Sequence, residues 1–169
     1  MTRLKRIKRR VLIKLVNTFF SGTRTCFFSV KRYLLREAGF EIGDGTNIVG
    51  PVEISGNLVI GKNCWIGKNL KVNGNGTVII CDNCDVAPEV TFQTGGHQIG
   101  EERRRAGKGE NYTQLVGSGT WIGGRVTILG NTQIGSGCVI AGCACVVKDI
   151  PNNTLVGGVP AKIIRGLDK

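Results

Sequence analysis

At 169 residues the chain is the size of one domain, and 26 glycines with only 6% aromatic residues describe a soluble protein of unusual architecture, long enough to bury a core. The net charge of +11 is confined to one end: residues 1–36 hold eleven Lys/Arg and no acid, and residues 37–169 hold twelve basic and twelve acidic residues. The seven cysteines are odd in number and follow no signal peptide, which excludes a secreted disulfide framework and points to reduced thiols in a cytoplasmic protein. "CDNC" at 81–84 has CxxC spacing, but without a second pair or a nearby histidine it lacks the ligands of a structural zinc, so no metal is expected.

In chain order, "RLKRIKRRVLIKLVNTFF" predicts a helix with Leu4, Ile7, Val11, Leu15 and Phe19 on one stripe and Lys5, Arg6, Arg9, Arg10 and Lys14 largely elsewhere. "TCFFSVKRYLLREAG" predicts a second helix stopped by Gly39. Residues 1–40 thus form a basic amphipathic segment, too charged to span a bilayer. Two roles stay open for it: a cap over the rest of the chain, or a helix in which residues 1–20 lie on the anionic inner face of a plasma membrane. No aromatic-interleaved patch or binding motif accompanies the charge, so nucleic acid is not an expected partner.

Residues 41–151 repeat with a period of six. Ile42, Ile48, Ile54, Ile60, Ile66 and Val72 are six apart, and after a two-residue slip at "NGNGTV" so are Ile80, Val86 and Phe92. The frame resumes with Val116, Ile122, Ile128, Ile134, Ile140 and Val146. No helix has that period. Four residues after most of these stands a compact residue such as Thr46, Cys64, Thr120 or Cys138, which on an extended strand points to the same side. Asn and Gly fill the remaining corner positions, where the backbone must turn sharply. Each hexad is one short strand and one turn, and stacked hexads make an all-β solenoid with Cys64, Cys84 and Cys138 as core filler. Between Phe92 and Val116 the frame is broken by a polar, glycine-rich insert, residues 93–115, predicted as an extended loop carrying His97, the only histidine of the chain.

These hexads resemble those of the hexapeptide-repeat acyltransferases, whose fold is a left-handed parallel β-helix with three hexads to a coil. About fifteen hexads imply about five coils. "TGGH" at 94–97 is similar to the catalytic loop of the galactoside, maltose and related sugar O-acetyltransferases, which implies His97 as general base. A neutral imidazole can take a proton from a hydroxyl attacking a thioester and return it to the departing thiolate. Asp82, Asp85, Glu101, Glu110 or a backbone carbonyl could orient it.

The stretch from "WIGGRV" to "PAKIIRG" resembles the family's coenzyme A-binding coils and tail, here ending in residues 152–169. The likeness implies acetyl-CoA as cosubstrate, Trp121 beside it, Gly124 and Gly142 along the pantetheine arm, and Lys148, Lys162 and Arg165 near the nucleotide. Val147 stands where the family carries a threonine. Asn75 stands where the galactoside-type enzymes carry a sugar-binding aspartate, which implies a substrate-binding role for it and an acceptor other than galactoside itself. The resemblance further implies a homotrimer. The basic N-terminus is similar to that of acetyltransferases of capsule, exopolysaccharide or O-antigen synthesis, so the expected acceptor is a sugar or lipid-linked saccharide. A serine or amino-sugar N-acetyltransferase and a non-catalytic β-helix scaffold are the alternatives. A γ-type carbonic anhydrase needs three histidines on zinc, which one histidine per chain does not supply.

Overall fold

The computed structural model describes residues 2–23 and 27–167; the expected start of the second helix at Thr25 and the last two residues of the tail lie outside these. Two helices, α1 (Arg3–Phe19) and α2 (Phe28–Glu37), precede a left-handed parallel β-helix. Its first coil is β1 (Glu41–Ile42), β2 (Asn47–Ile48) and β3 (Val52–Ile54), and its second is β4 (Asn57–Ile60), β5 (Trp65–Ile66) and β6 (Leu70–Asn73). The third coil is β7 (Thr77–Ile80), β8 (Asp85–Val86) and β9 (Thr91–Gln93). A hairpin of β10 (Gly95–Ile99) and β11 (Ala106–Asn111) interrupts the winding. Then β12 (Thr113–Val116), β13 (Trp121–Ile122) and β14 (Thr127–Leu129) make the fourth coil, and β15 (Gln133–Ile134), β16 (Val139–Ile140) and β17 (Cys145–Val146) the fifth. β18 (Thr154–Gly157) continues the second side of the prism, and β19 (Lys162–Gly166) returns antiparallel along it. Among the described residues there are five complete coils and part of a sixth, in which Ile150 bridges Ile134 on the first side.

Parallel pairing in strict register stacks each hexad aliphatic on its equivalent one coil away, as in Ile60 on Ile80 and Ile80 on Val116. The column Ile48, Ile66, Val86, Ile122, Ile140 and Val156 on the second side is buried throughout. At about 1.5–3 kcal/mol for each large aliphatic side chain removed from water, these columns supply the driving force of the fold. The corners obey their own rule: Asn63, Asn83 and Asn153 share with Gly45, Gly119 and Gly137 a positive φ in the turn between first and second sides, which Asn and Gly reach at the lowest cost.

The compact residues next to that turn do more than fill space. Thr46 Oγ1 donates to the Gly61 carbonyl and accepts from the Cys64 N–H at 3.0 Å, and Thr120 Oγ1 does the same with Gly135 and Cys138. Cys64 Sγ takes the equivalent place between the Cys81 carbonyl and the Cys84 N–H, and Cys84 Sγ donates to the Gly117 carbonyl at 3.2 Å. A thiol here is a larger, weaker version of the threonine hydroxyl, and it satisfies polar backbone that the turn would otherwise bury unpaired. The six cysteines among the described residues are free thiols.

The open first coil is covered by the helices, and basic side chains do much of the covering. Asn17 forms an amide pair with Val52, donating from Nδ2 to its carbonyl at 2.8 Å and accepting its N–H at 2.9 Å, as a neighbouring strand would. Arg9 donates to the carbonyls of Ala38 and Gly56, Arg32 to Thr46 and Arg36 to Ile42. The fully buried Lys31 donates to the carbonyls of Gly22 and Val49, with its Nζ 4.4 Å from the centre of the Phe28 ring. An unpaired sheet end is thus closed by side-chain donors.

The face of α1 that does this is not the predicted stripe. Leu12, Ile13 and Val16 pack against the core, while Leu4, Ile7, Val11 and Phe19 are 76%, 51%, 52% and 67% exposed. The helix carries two apolar faces, and its hydrophobic periodicity reported the outer one. Among the described residues no helix is long and apolar enough to cross a membrane.

Candidate active site

The expected extended loop is an antiparallel hairpin whose register shifts between His97 and Ile99. It leaves the prism at the edge between the third and first sides, after β9, and returns into β12. Gly96 of "TGGH" and Gly74 in the corner below it make its exit feasible. A Cβ on Gly96 would stand 2.5 Å from the Tyr112 hydroxyl, and the backbone at Gly95 passes so close over the lower corner that a Cβ on Gly74 would lie 2.5 Å from the Gly95 nitrogen. Thr94, wholly buried, fastens that crossing: Oγ1 donates to the Asn73 carbonyl at 3.0 Å and accepts the Gly76 N–H at 3.2 Å.

His97 pairs with Gly109 across the hairpin and is exposed. Its Nδ1 lies 2.8 Å from the Gly107 carbonyl. A carbonyl oxygen only accepts, so Nδ1 carries the proton and Nε2 presents a lone pair. Of the candidate orienting groups it is the carbonyl that makes this contact. Glu110 is engaged elsewhere, accepting from Gln98 Nε2 at 2.9 Å and from the Tyr112 hydroxyl at 3.2 Å. Burial, with that carboxylate beside it, raises the Tyr112 phenol above its ordinary value.

Sequence reading missed Gln114. In the first-side column Leu58 stacks on Val78 and Val78 on Gln114, so a buried amide occupies a position that is aliphatic in the coils below. Its Nε2 reaches the carbonyls of Gln93, Ile128 and Gly130 at 3.2, 3.1 and 2.9 Å. Those three groups flank the root of the hairpin. The Asn131 side chain adds a contact to the Thr113 N–H at 3.0 Å. A polar residue interrupting an apolar column was the available signal.

Asn75 is exposed in the corner 73–76, directly under the hairpin root. The remaining predicted residues fall into two groups. Lys148 is exposed on the hairpin's own edge, in the turn after β17. Trp121 points outward from the second side and is 56% exposed; Trp65, two coils below it in the same column, is covered in part by Phe28 at 5.7 Å between ring centres. Gly124 and Gly142 are successive corners between second and third sides, where a Cβ on Gly142 would lie 3.3 Å from the Gly124 carbonyl. Lys162 and Arg165 are exposed on β19, against the second side. Within one chain, the prism places the histidine edge opposite the side that carries Trp121.

A family description, the six-repeat bacterial transferase hexapeptide, matches residues 115–148. The chain is 34% identical over 137 residues to the galactoside O-acetyltransferase of Escherichia coli strain K12, an alignment that covers 80% of this chain and 68% of that enzyme. It spans 56% of the lengths of two further relatives, from Saccharomyces cerevisiae and Staphylococcus aureus. A solved galactoside acetyltransferase in complex with coenzyme A superposes with a TM-score of 0.83 at 30% identity, over 98% of this chain and 82% of that one. With its stacked hexads, its hairpin above the third coil and these likenesses, the chain belongs to the hexapeptide-repeat acyltransferases.

Proposed function

We propose that the protein transfers an acetyl group from acetyl-CoA to a hydroxyl of a sugar, with His97 as the general base. The observation that carries this reading is the Nδ1 contact with the Gly107 carbonyl, because it directs the basic Nε2 outward. Nε2 removes the proton of the acceptor hydroxyl as its oxygen bonds to the thioester carbon. The tetrahedral intermediate then collapses, the carbon–sulfur bond breaks, and Nε2 returns the proton to the thiolate. The carbonyl on Nδ1–H stabilises the imidazolium between these steps. A coenzyme A-bound relative and the sugar acetyltransferase that aligns over most of this chain support the choice of donor and acceptor.

Trp121, Gly124, Gly142, Lys162 and Arg165 would hold the cofactor, with Lys148 contributing from the histidine's edge. Their placement opposite His97 favours a site completed by a neighbouring chain, in a homotrimer where one hairpin edge faces the next chain's second side. Asn75, beneath the hairpin, would face the sugar, and the acceptor is a surface-polysaccharide sugar or its lipid-linked precursor. Mixing His97→Ala and Trp121→Ala proteins after subunit exchange tests this reading. Recovered acetyl transfer from two impaired variants supports a shared site, and no recovery on proven exchange contradicts it. A panel of galactosides, maltose and amino sugars then separates O- from N-transfer.

A further inference from the structure

We infer that α1 is a membrane-docking helix that lays its outward face on an anionic lipid surface. The capping role and the apolar stripe belong to different faces. Leu12, Ile13 and Val16, with Asn17 and Arg9, close the first coil. At about 100° per residue, Leu4, Ile7 and Val11 then point roughly the opposite way, and all three are more than half exposed. Nothing in the first coil needs them.

The charges divide in the same manner. Arg9, Lys31, Arg32 and Arg36 are spent on backbone carbonyls of the cap. Arg3, Lys5, Arg6, Arg10 and Lys14 stay exposed on α1. Arg3, Arg10 and Lys14 border the stripe on one side, and Lys8, held by Glu37 at 2.7 Å, borders it on the other. The helix contains no acidic residue. An apolar strip edged by cations matches acyl chains beneath anionic headgroups, with the long basic side chains reaching outward to phosphate. A second copy of this helix would instead meet its own positive charge, and nucleic acid would leave the apolar strip without a counterpart. The neutral solenoid would then stand above the bilayer, capped end down, with its hairpin free for acceptors held at the membrane.

Vesicle flotation of the full chain tests this without any assay of acetyl transfer. The protein should float with phosphatidylcholine–phosphatidylglycerol vesicles at low salt, not with phosphatidylcholine alone, and should be released by high salt. Arg10→Gln with Lys14→Gln should weaken vesicle binding about thirtyfold, from about 1 kcal/mol per cation near the surface. Ile7→Ser with Val11→Ser, both exposed and away from the cap, should weaken binding by at least as much with the melting temperature unchanged. Failure of the wild type to bind anionic vesicles would overturn the inference. So would vesicle binding that ignores the Ile7→Ser, Val11→Ser change, or a smaller oligomer in sedimentation for that variant, which would make the stripe a contact between copies.

Discussion

Gln114→Leu separates the hairpin's support from the solenoid's general stability. Leu58 occupies the same column two coils below, so a leucine fits the side of the prism. The variant loses the two Nε2 hydrogens, shared among three carbonyls at 2.9 to 3.2 Å, each hydrogen bond a net contribution of about 1–1.5 kcal/mol. It also removes Oε1, a buried acceptor without a partner, whose burial costs about 1–3 kcal/mol. The two nearly offset, and a net destabilisation of about 1 kcal/mol lowers the melting temperature by about 2–4 °C. The functional effect is larger. The freed carbonyls flank the hairpin root, and a base displaced by about 1 Å can slow chemistry about 100-fold. Steady-state kinetics with acetyl-CoA and a soluble sugar acceptor, beside a thermal melt, should therefore show kcat down about tenfold to 100-fold and KM for acetyl-CoA little changed. Unaltered kcat in a folded variant would refute the idea that this amide positions His97.

Two other expectations rest on separate parts of the molecule. Lys148→Ala and Arg165→Ala should raise KM for acetyl-CoA with little change in kcat, because contacts at the nucleotide end act equally in ground and transition states; an effect confined to the acceptor's KM would remove both from the cofactor site. Burial holds the Lys31 ammonium below its ordinary value of 10.5. The unfolded chain then binds more protons in that range, so this group's contribution to stability rises with pH from its lowered folded value up to about 10.5. Denaturant titrations across alkaline pH should show a flatter slope in Lys31→Met than in the wild type, and identical slopes would contradict the assignment.

How much of this was legible in the sequence depended on whether one physical rule governed the residues. The hexads obey two together, side-chain alternation along a strand and positive φ at Asn or Gly corners, so coils, columns and even the inward cysteines could be read in advance. The hairpin could not. "GGHQI" and "AGKGEN" lack an alternation of apolar and polar residues, and their pairing comes from the close passage over Gly74 and from Thr94, contacts between residues about twenty apart in the chain. The stripe of α1 was read correctly as apolar but not by direction, because three apolar residues and an asparagine amide suffice to dock the other face. His97 was visible through "TGGH"; its carbonyl partner was not, since backbone carries no signature. The residues expected at the cofactor were named by resemblance, and their separation from His97 within one chain emerges only when the chain is wound into a prism.

The most direct measurement of the central claim is the turnover of His97→Asn with acetyl-CoA and a sugar acceptor, with acetyl-CoA affinity measured on the same preparation. Loss of the base should lower kcat by about 100-fold to 10,000-fold and leave the affinity for acetyl-CoA little changed, since the binding contacts proposed for the cofactor come from other side chains and backbone, Trp121, Gly124 and Gly142 among them, and asparagine keeps a polar side chain in place of the imidazole. Turnover near that of the wild type would mean that the imidazole directed outward by Gly107 is not the base, and the proposed chemistry would fall with it.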